Sequence, residues 1–154
     1  MGPRQMDLDF GWSAGVWFTT PTFDDFVQIS LALLSGRCVA VSDGSALENI
    51  AGTAAWCVSA GNLMEIISAG FRVPGPGFSQ CSYRSELAGV HAKIKVIHRV
   101  VRFFEIREGS IEVGTDSESV INRLFCSLQP ACLADHSFDL LAECQQLMSE
   151  IPQI

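Results

Sequence analysis

The stretch Cys38–Ser45, with the sequence CVAVSDGS, decides how the rest of the chain is interpreted. Its first part, Cys38–Ser42, carries no charge, which is typical of a strand that is buried on both faces of a sheet. Gly44 and Ser45 are residue types of turns. This pattern places the acid Asp43 at the carboxyl end of a central strand. A carboxylate in that position needs a partner, because an isolated buried charge is strongly destabilising or neutralises itself.

Two further acids occupy comparable positions. Glu86 lies in the segment SYRSELAG, and Asp116 follows the strand-like run of IEVGTDS. Because each acid belongs to a different predicted element, Asp43, Glu86 and Asp116 are candidates for one shared metal site. Each of them alone also has an ordinary interpretation, as a turn residue, an acid in the first turn of a helix and a helix cap, respectively.

Length and composition predict a single folded domain. The chain has 154 residues, of which 48% are hydrophobic and 18% charged, as in globular proteins. Its formal net charge of -7 argues against a free-standing protein that binds nucleic acid through a basic face. Nucleic acid is not excluded, because a metal–carboxylate site brings its own positive charge as bound cations.

The cysteine pattern and the apolar runs indicate in which cellular environment the protein is expected. The six cysteines include no C-x-x-C pair, and no histidine stands at zinc-finger spacing. No cleavable signal peptide precedes them, so we expect mostly buried, reduced thiols in an intracellular protein, cytoplasmic or nuclear. The longest apolar run, around Ile29–Leu34, is far shorter than the ~20 residues of a membrane span. We therefore expect no membrane partner.

Three short strands are predicted in the first half of the chain. They are the strand that leads to Asp43, residues 52–59 and residues 63–71, which together form an antiparallel meander. Residues 44–50 are predicted to be the first turn. A helix over residues 22–36 precedes the meander, because it opens with a capping-box pattern and closes on glycine.

The clearest helix of the sequence follows the meander. Ser82 is a good N-cap, and apolar residues then recur at spacings of three and four, so Glu86 is expected in the first helical turn. Residues 111–115 are predicted to form a strand that runs parallel to a meander strand, through a right-handed crossover. This topology predicts that Asp116 and Asp43 end neighbouring strands on the same side. Two more helices follow, capped by Ser117 and Ser137.

This order of elements, with S-D-G-S, S-x-R-S-E-L and T-D-S at the marked positions, resembles the ribonuclease H family. More narrowly, it is similar to the ribonuclease H domains that follow reverse transcriptase in retrotransposon polyproteins. The resemblance implies an α/β fold with a ribonuclease H-like mixed sheet, three antiparallel strands and then a parallel strand, with flanking helices. The resemblance covers residues 36–154, which implies a ribonuclease H-like domain over that range, and residues 1–35 are predicted to be an N-terminal arm and helix.

The resemblance implies a metal site and a reaction. Asp43, Glu86 and Asp116 match the family's metal-binding carboxylates, which implies a two-metal site for Mg²⁺ or Mn²⁺. Asp43 would bridge both ions, Asp116 would hold the first and Glu86 the second. The implied activity is endonucleolytic hydrolysis of the RNA strand of an RNA–DNA hybrid. A larger polyprotein with reverse transcriptase is the implied context.

The family uses a fourth acid, an aspartate that opens a final helix after one more strand and a histidine-containing loop. Since the sequence ends at Ile154, we expect a C-terminally incomplete domain. Asp135, Asp139 and Glu143 come too early to be the fourth ligand. Three hypotheses stay open: a ribonuclease H-type endonuclease whose fourth carboxylate is supplied or dispensable, a catalytically incomplete nucleic-acid-binding module or retroelement remnant, and an unrelated α/β ligand-binding domain.

Basic residues on the long helix have two interpretations. One flank carries Lys93, Lys95, Arg99 and Arg102. This flank faces either a nucleic-acid backbone or the solvent. Arg84 is expected to be a solvated side chain or to reach a phosphate. No role is assigned to the three histidines, because none matches the family's catalytic histidine: His91, His98 and His136.

Overall fold

The computed structural model describes residues 16–17, 21–61, 64–115, 117–126 and 137–151. Within these ranges, five strands form one sheet. The strands are β1 (Val16–Trp17), β2 (Cys38–Leu47), β3 (Ala51–Ala60), β4 (Met64–Arg72) and β5 (Ile111–Gly114). Their order across the sheet is β1-β4-β3-β2-β5. The strand that carries Asp43 therefore lies between β3 and β5.

The sheet is mixed. β2, β3 and β4 pair antiparallel, whereas β5 pairs parallel to β2, from Cys38 opposite Ile111 to Val41 opposite Gly114. Parallel neighbours need a long crossover connection, and the helix α2 (Ser82–Phe103) supplies it. The predicted sheet of three antiparallel strands and one parallel strand is confirmed. The short β1 pairs antiparallel with β4.

β2 is longer than predicted. It continues through Asp43 to Leu47, so the prediction that residues 44–50 form a turn is wrong for the first half of that segment. Gly44 pairs with Ala54 in the ladder instead of bending the chain. A Cβ on Gly44 would lie 2.4 Å from the carbonyl carbon of Ser85. This glycine is therefore required by the close approach of α2, and not by a turn.

Helix α1 (Phe23–Leu34) confirms its predicted start. The Asp25 N–H donates to the Thr22 hydroxyl, and the Asp25 carboxylate accepts from the Thr22 N–H, which completes a capping box. Gly36 follows the C-cap with a φ of 73°, a conformation that favours glycine.

The predicted start of the long helix is wrong by one residue. Cys81 is the N-cap of α2 and makes no side-chain capping bond, and Ser82 is already helical. The first turn of α2 contains no acid, so Glu86 lies further into the helix than expected. A helix dipole acts mainly on its first turn. Its effect on Glu86 is therefore smaller than the sequence suggested.

Two further helices follow β5. The predicted cap Ser117 is confirmed, since its hydroxyl accepts from the Val120 N–H at the start of α3 (Glu118–Ile121). A π-helical turn, Asn122–Cys126, continues α3. Ser137 stands at the N-cap position of α4 (Phe138–Glu150), but it has a φ of 56° and makes no side-chain capping bond. The prediction that its side chain caps the helix is therefore wrong.

The helices and the sheet share one hydrophobic core. Phe26, Trp56, Leu87 and Leu140, from four different elements, are each no more than 2% exposed. No helix in the described part of the chain is long and apolar enough to cross a membrane. The division of the chain at residues 35 and 36 stays a prediction. Of the predicted N-terminal arm, residues 1–15 and 18–20 lie outside the described residues.

The cysteines with described side chains form no disulfide: Cys38, Cys57, Cys81 and Cys144. Burial raises the pKa of the Cys38 thiol to about 12, so this side chain behaves as a small apolar group. Cys38 and Cys144 are buried, as expected, and the reduced state of the thiols stays a prediction. The side chains of Cys126 and Cys132 lie outside the described part of the chain.

Candidate metal centre

The backbone brings Asp43 and Glu86 together. Gly44, directly after Asp43, lies against the peptide that joins Ser85 to Glu86 in α2. The close crossing of α2 over β2 therefore sets Glu86 beside Asp43. The Asp43 side chain is at an exposed position, and its Oδ1 accepts a 3.0 Å hydrogen bond from the Gly44 N–H. Glu86 is half-buried.

The charge of Asp43 acts on the Glu86 carboxylate. Burial raises the pKa of Glu86, and the charge of Asp43 and a hydrogen bond with it raise the pKa further. Hydrogen bonds from the Gly44 N–H and the Thr115 hydroxyl oppose this shift. Like charges in contact are stable only when they share a proton or a cation. Oxygen ligands of this kind are the ones that Mg²⁺ and Mn²⁺ prefer.

The segment after β5 reaches the same place. Thr115, the first residue after β5, donates its hydroxyl to Glu86 Oε2 at 3.3 Å. Asp116, the third predicted ligand, lies outside the described residues and stays a prediction. Among the residues that are described, no group of three acid, histidine or cysteine side chains forms a metal cluster. The structure therefore brings two of the three predicted acids together and carries the chain to within one residue of the third.

Lys93 lies next to this centre. It belongs to the flank of α2 that is predicted to face nucleic acid or solvent, and this prediction is wrong for Lys93, which is 0% exposed. Its Nζ lies 2.6 Å from the Gly114 carbonyl oxygen and 3.3 Å from that of Ala40. Burial lowers the pKa of Lys93 to about 8, against the attraction of Glu86. The spacing of Lys93 indicates this burial, because Lys93 follows Glu86 by seven residues and so lies on the apolar stripe of α2.

Arg84 is buried as well, in contrast to the predicted solvated or phosphate-binding side chain. It is 4% exposed, and Nη1 and Nη2 each donate to a carboxylate oxygen of Asp139 at 2.8 Å. Nε and Nη2 also donate to the Pro74 carbonyl oxygen, at 2.9 and 2.7 Å. These bonds direct the guanidinium to α4 and to the loop before α2, so Arg84 has a structural role.

Two histidines continue this contact between α2 and α4. His91 Nε2 lies 2.9 Å from Glu143 Oε2, and His98 Nε2 lies 2.8 Å from Glu150 Oε2. Together with Arg84 they form a seam at spacings of seven residues along one face of α2. Burial lowers the pKa of His91 to about 4. His136 and Asp135 lie outside the described residues.

A mainly apolar cavity of about 630 Å³ lies away from the acids, between β5, α2, α3 and α4. A shallower depression of about 320 Å³ includes Asp43, with Val41, Cys57 and Glu65 in its walls. Asp43 therefore lies in an open depression.

The sheet order, the parallel β5 and the crossover helix define a ribonuclease H-like fold. Among solved structures, RNase H1 from the halophilic archaeon Halobacterium salinarum NRC-1 is similar, with a TM-score of 0.54 over 77% of this chain and 81% of that chain. The sequence identity is 16%, so this likeness concerns the fold. The expected ribonuclease H-like architecture is confirmed.

Two viral structures also resemble the chain. Prototype foamy virus protease-reverse transcriptase gives a TM-score of 0.44 at 17% identity, over 77% of this chain and 17% of that chain. The foamy viral protease-reverse transcriptase in complex with an RNA/DNA hybrid gives 0.44 at 15% identity, over 90% and 19%. This chain thus spans less than a fifth of either viral protein. No protein-family model matches the sequence, and no curated protein matches it.

Proposed function

We propose that the chain is a ribonuclease H-type endonuclease domain, which hydrolyses the RNA strand of an RNA–DNA hybrid with Mg²⁺ or Mn²⁺ held by Asp43, Glu86 and Asp116. The observation that carries this proposal is the close packing of Gly44 against the peptide that joins Ser85 to Glu86. This packing sets Glu86 beside Asp43, and the charge of Asp43 raises the pKa of Glu86. The motifs that resemble the family supply the third ligand and the substrate.

The residues fit a divalent cation. Asp43 and Glu86 offer hard oxygen atoms, and a cation between them would relieve the repulsion that raises the pKa of Glu86. Asp43 is exposed, so a cation and a phosphate can reach it from solvent. A site that leaves coordination positions open suits Mg²⁺, which keeps waters and binds substrate phosphates.

The chemistry divides between the cations and the chain. When bound, the cations would supply an activated water and would stabilise the leaving oxygen of the scissile phosphodiester. The chain supplies the carboxylates and their orientation. Thr115 holds Glu86 Oε2 through its hydroxyl, and the Gly44 N–H holds Asp43 Oδ1. These bonds restrict both carboxylates before a cation arrives, which is the general way in which neighbouring groups orient metal ligands.

The charge distribution supports binding that depends on cations. The chain has a net charge of -7, and two of the basic residues of α2, Arg84 and Lys93, are buried. Three basic residues of α2 that are not buried are left for phosphate contacts, namely Lys95, Arg99 and Arg102. We therefore expect hybrid binding to need the divalent ions more than a broad basic face.

A cleavage assay with matched variants tests the proposal. Labelled RNA–DNA hybrid, RNA duplex and DNA duplex are each incubated with the chain in Mg²⁺, in Mn²⁺ and in a chelator. We expect cleavage of the hybrid RNA alone, and its loss in Asp43→Asn, Glu86→Gln and Asp116→Asn. Glu112→Gln is the matched control, because Glu112 is an exposed acid of β5 that is not predicted to bind metal.

Three outcomes separate the alternatives. Cleavage that persists in Asp43→Asn would come from another site or a contaminant, and would refute the proposal. Folded protein that binds the hybrid without cutting it would favour the nucleic-acid-binding module. Folded protein that binds neither hybrid nor Mn²⁺ would favour an unrelated ligand-binding domain.

A further inference from the structure

A buried ammonium joins the two parallel strands beside the candidate metal centre. Lys93 Nζ donates to the carbonyl oxygens of Gly114 in β5 and Ala40 in β2. Gly114 is the last residue of β5 and pairs with Val41. The lysine of α2 therefore links the two strands at the final step of their shared ladder.

The fold alone does not require a cation at this position. Taking an ammonium out of water is strongly unfavourable, and apolar replacements of buried ions are often as stable or more stable. The neighbours of Lys93 along the apolar cavity include Ile94, Ile97 and Val113, so an apolar side chain would suit these surroundings. What the ammonium adds is a pair of directed hydrogen bonds, one to the last residue of β5 and one to Ala40 within β2.

Both bonded positions lead directly to the candidate ligands. Thr115, which hydrogen-bonds Glu86, follows Gly114, and Asp116 is the next residue in the sequence. On the other strand, Asp43 follows Ala40 by three residues. Lys93 lies two helical turns after Glu86 on the same face of α2, about 10 Å along the axis. Its side chain leans toward the helix N-terminus, as side chains on helices do, and so toward Glu86.

β5 also needs such a link more than β2, β3 and β4 do. It has four residues, and within the described part of the chain it pairs with β2 alone. Ends of short strands with few partners open readily. Opening of the β5 end would move Thr115 away from Glu86.

We propose that Lys93 is a positioning residue, which fixes the carboxyl end of β5 to β2 and so sets Thr115, the residue that precedes Asp116 in the sequence, against Glu86. The part of this inference that concerns the metal rests on the proposed function. The part that concerns the strand end does not.

Three variants test this role. Lys93→Met removes the ammonium and keeps most of the volume. Lys93→Arg keeps a cation with several donors, and its larger head can extend into the cavity that Lys93 lines. Lys95→Met is the matched control, because it removes the same charge from a more exposed position of the same helix. The readouts are amide hydrogen exchange without metal, Mn²⁺ binding by calorimetry, and unfolding in urea.

We expect Lys93→Met to exchange the β5 amides about tenfold faster and to bind Mn²⁺ about 10- to 100-fold more weakly, the loss usual for residues that orient metal ligands. Its midpoint of unfolding in urea stays within the experimental error of the original chain or rises. Lys93→Arg restores slow exchange and Mn²⁺ affinity to within about threefold of the original. Lys95→Met leaves both unchanged.

Unchanged β5 exchange in Lys93→Met would overturn the inference, and so would faster exchange with unchanged or tighter Mn²⁺ binding. If Lys93→Met does not fold, Lys93→Arg decides: retained exchange and affinity support the role, and a folded Arg variant without Mn²⁺ affinity contradicts it. If the original chain binds no Mn²⁺, the proposed function fails. Faster exchange in Lys93→Met than in Lys93→Arg would then still support the strand link.

Discussion

Replacing Gly44 by alanine should separate the two halves of the candidate site. The new Cβ would lie 2.4 Å from the Ser85 carbonyl carbon and 2.6 Å from the Glu86 amide nitrogen. Both atoms belong to the backbone of α2, so no flexible side chain can move aside. An ordinary contact needs about 1 Å more room, and this shift would carry Glu86 away from Asp43.

The expected loss of stability follows from overpacking the contact between β2 and α2. Overpacked sites typically lose about 1–3 kcal/mol of unfolding free energy. Because the obstacle is backbone, Gly44→Ala should lose about 3 kcal/mol of unfolding free energy, the upper end of this range. The lower entropy of the unfolded alanine variant offsets up to about 1 kcal/mol of that loss. With a urea dependence of about 2 kcal/mol per molar, the midpoint should fall by about 1 M.

Urea unfolding and Mn²⁺ calorimetry together measure the effect. Gly61→Ala is the matched control, because the nearest atom to its Cβ would be at 3.6 Å, an ordinary contact distance. We expect Gly44→Ala to lose both stability and Mn²⁺ affinity and Gly61→Ala to keep both. A Gly44→Ala protein with the original urea midpoint and the original Mn²⁺ affinity would refute the claim that this glycine sets the distance between the two acids.

Further predictions concern charge. Without divalent ions, Glu86→Gln should be about 0.5–2 kcal/mol more stable than the original chain, because it removes a like-charge interaction. Mn²⁺ at about 100 times its dissociation constant should stabilise the original chain by about 2.7 kcal/mol and should not stabilise the variant. Thermal unfolding with and without a chelator measures both effects. Arg84→Met should lose about 1–3 kcal/mol in urea unfolding, since the Pro74 carbonyl loses two of its donors and Asp139 loses its ion-pair partner, whereas Arg102→Met, at an exposed position of α2, should lose little. The free energy of unfolding should fall as the pH drops from 6.5 toward 4, because burial lowers the pKa of His91 to about 4 and the unfolded chain therefore binds this proton more readily than the folded chain. The full effect is about 3 kcal/mol, and His91→Gln should reduce it.

Periodicity and capping chemistry predicted most of the architecture. The strands, the crossover helix and the parallel β5 depend on local patterns that the final fold preserves, and Thr22 caps its helix as its sequence neighbours require. The predictions are wrong where contacts between distant parts of the sequence determine the local structure. Gly44 has the residue type of a turn, but its missing side chain accommodates a helix that lies forty residues further along the sequence.

The basic residues show the same limit. Arg84 and Lys93 were assigned to the surface by their residue types, yet both are buried because carbonyl or carboxylate partners meet them from other elements. Such partners cannot be read from α2 alone. Lys93 was recognisable only through its position on the apolar stripe, where a charge contradicts the periodicity. A charge in that position should be examined for buried partners before it is assigned to a solvated flank.

The faces of α2 also bear on the question of a fourth carboxylate. Arg84 and His91 share one face because they are seven residues apart, and Glu86 lies about 200° around the helix from Arg84. Asp139 and Glu143 of α4 contact the Arg84 face, at 2.8 and 2.9 Å from their partners. These two acids are therefore directed away from Glu86 and are already paired. A fourth ligand for the proposed site must come from elsewhere, and activity without one would show that three carboxylates suffice.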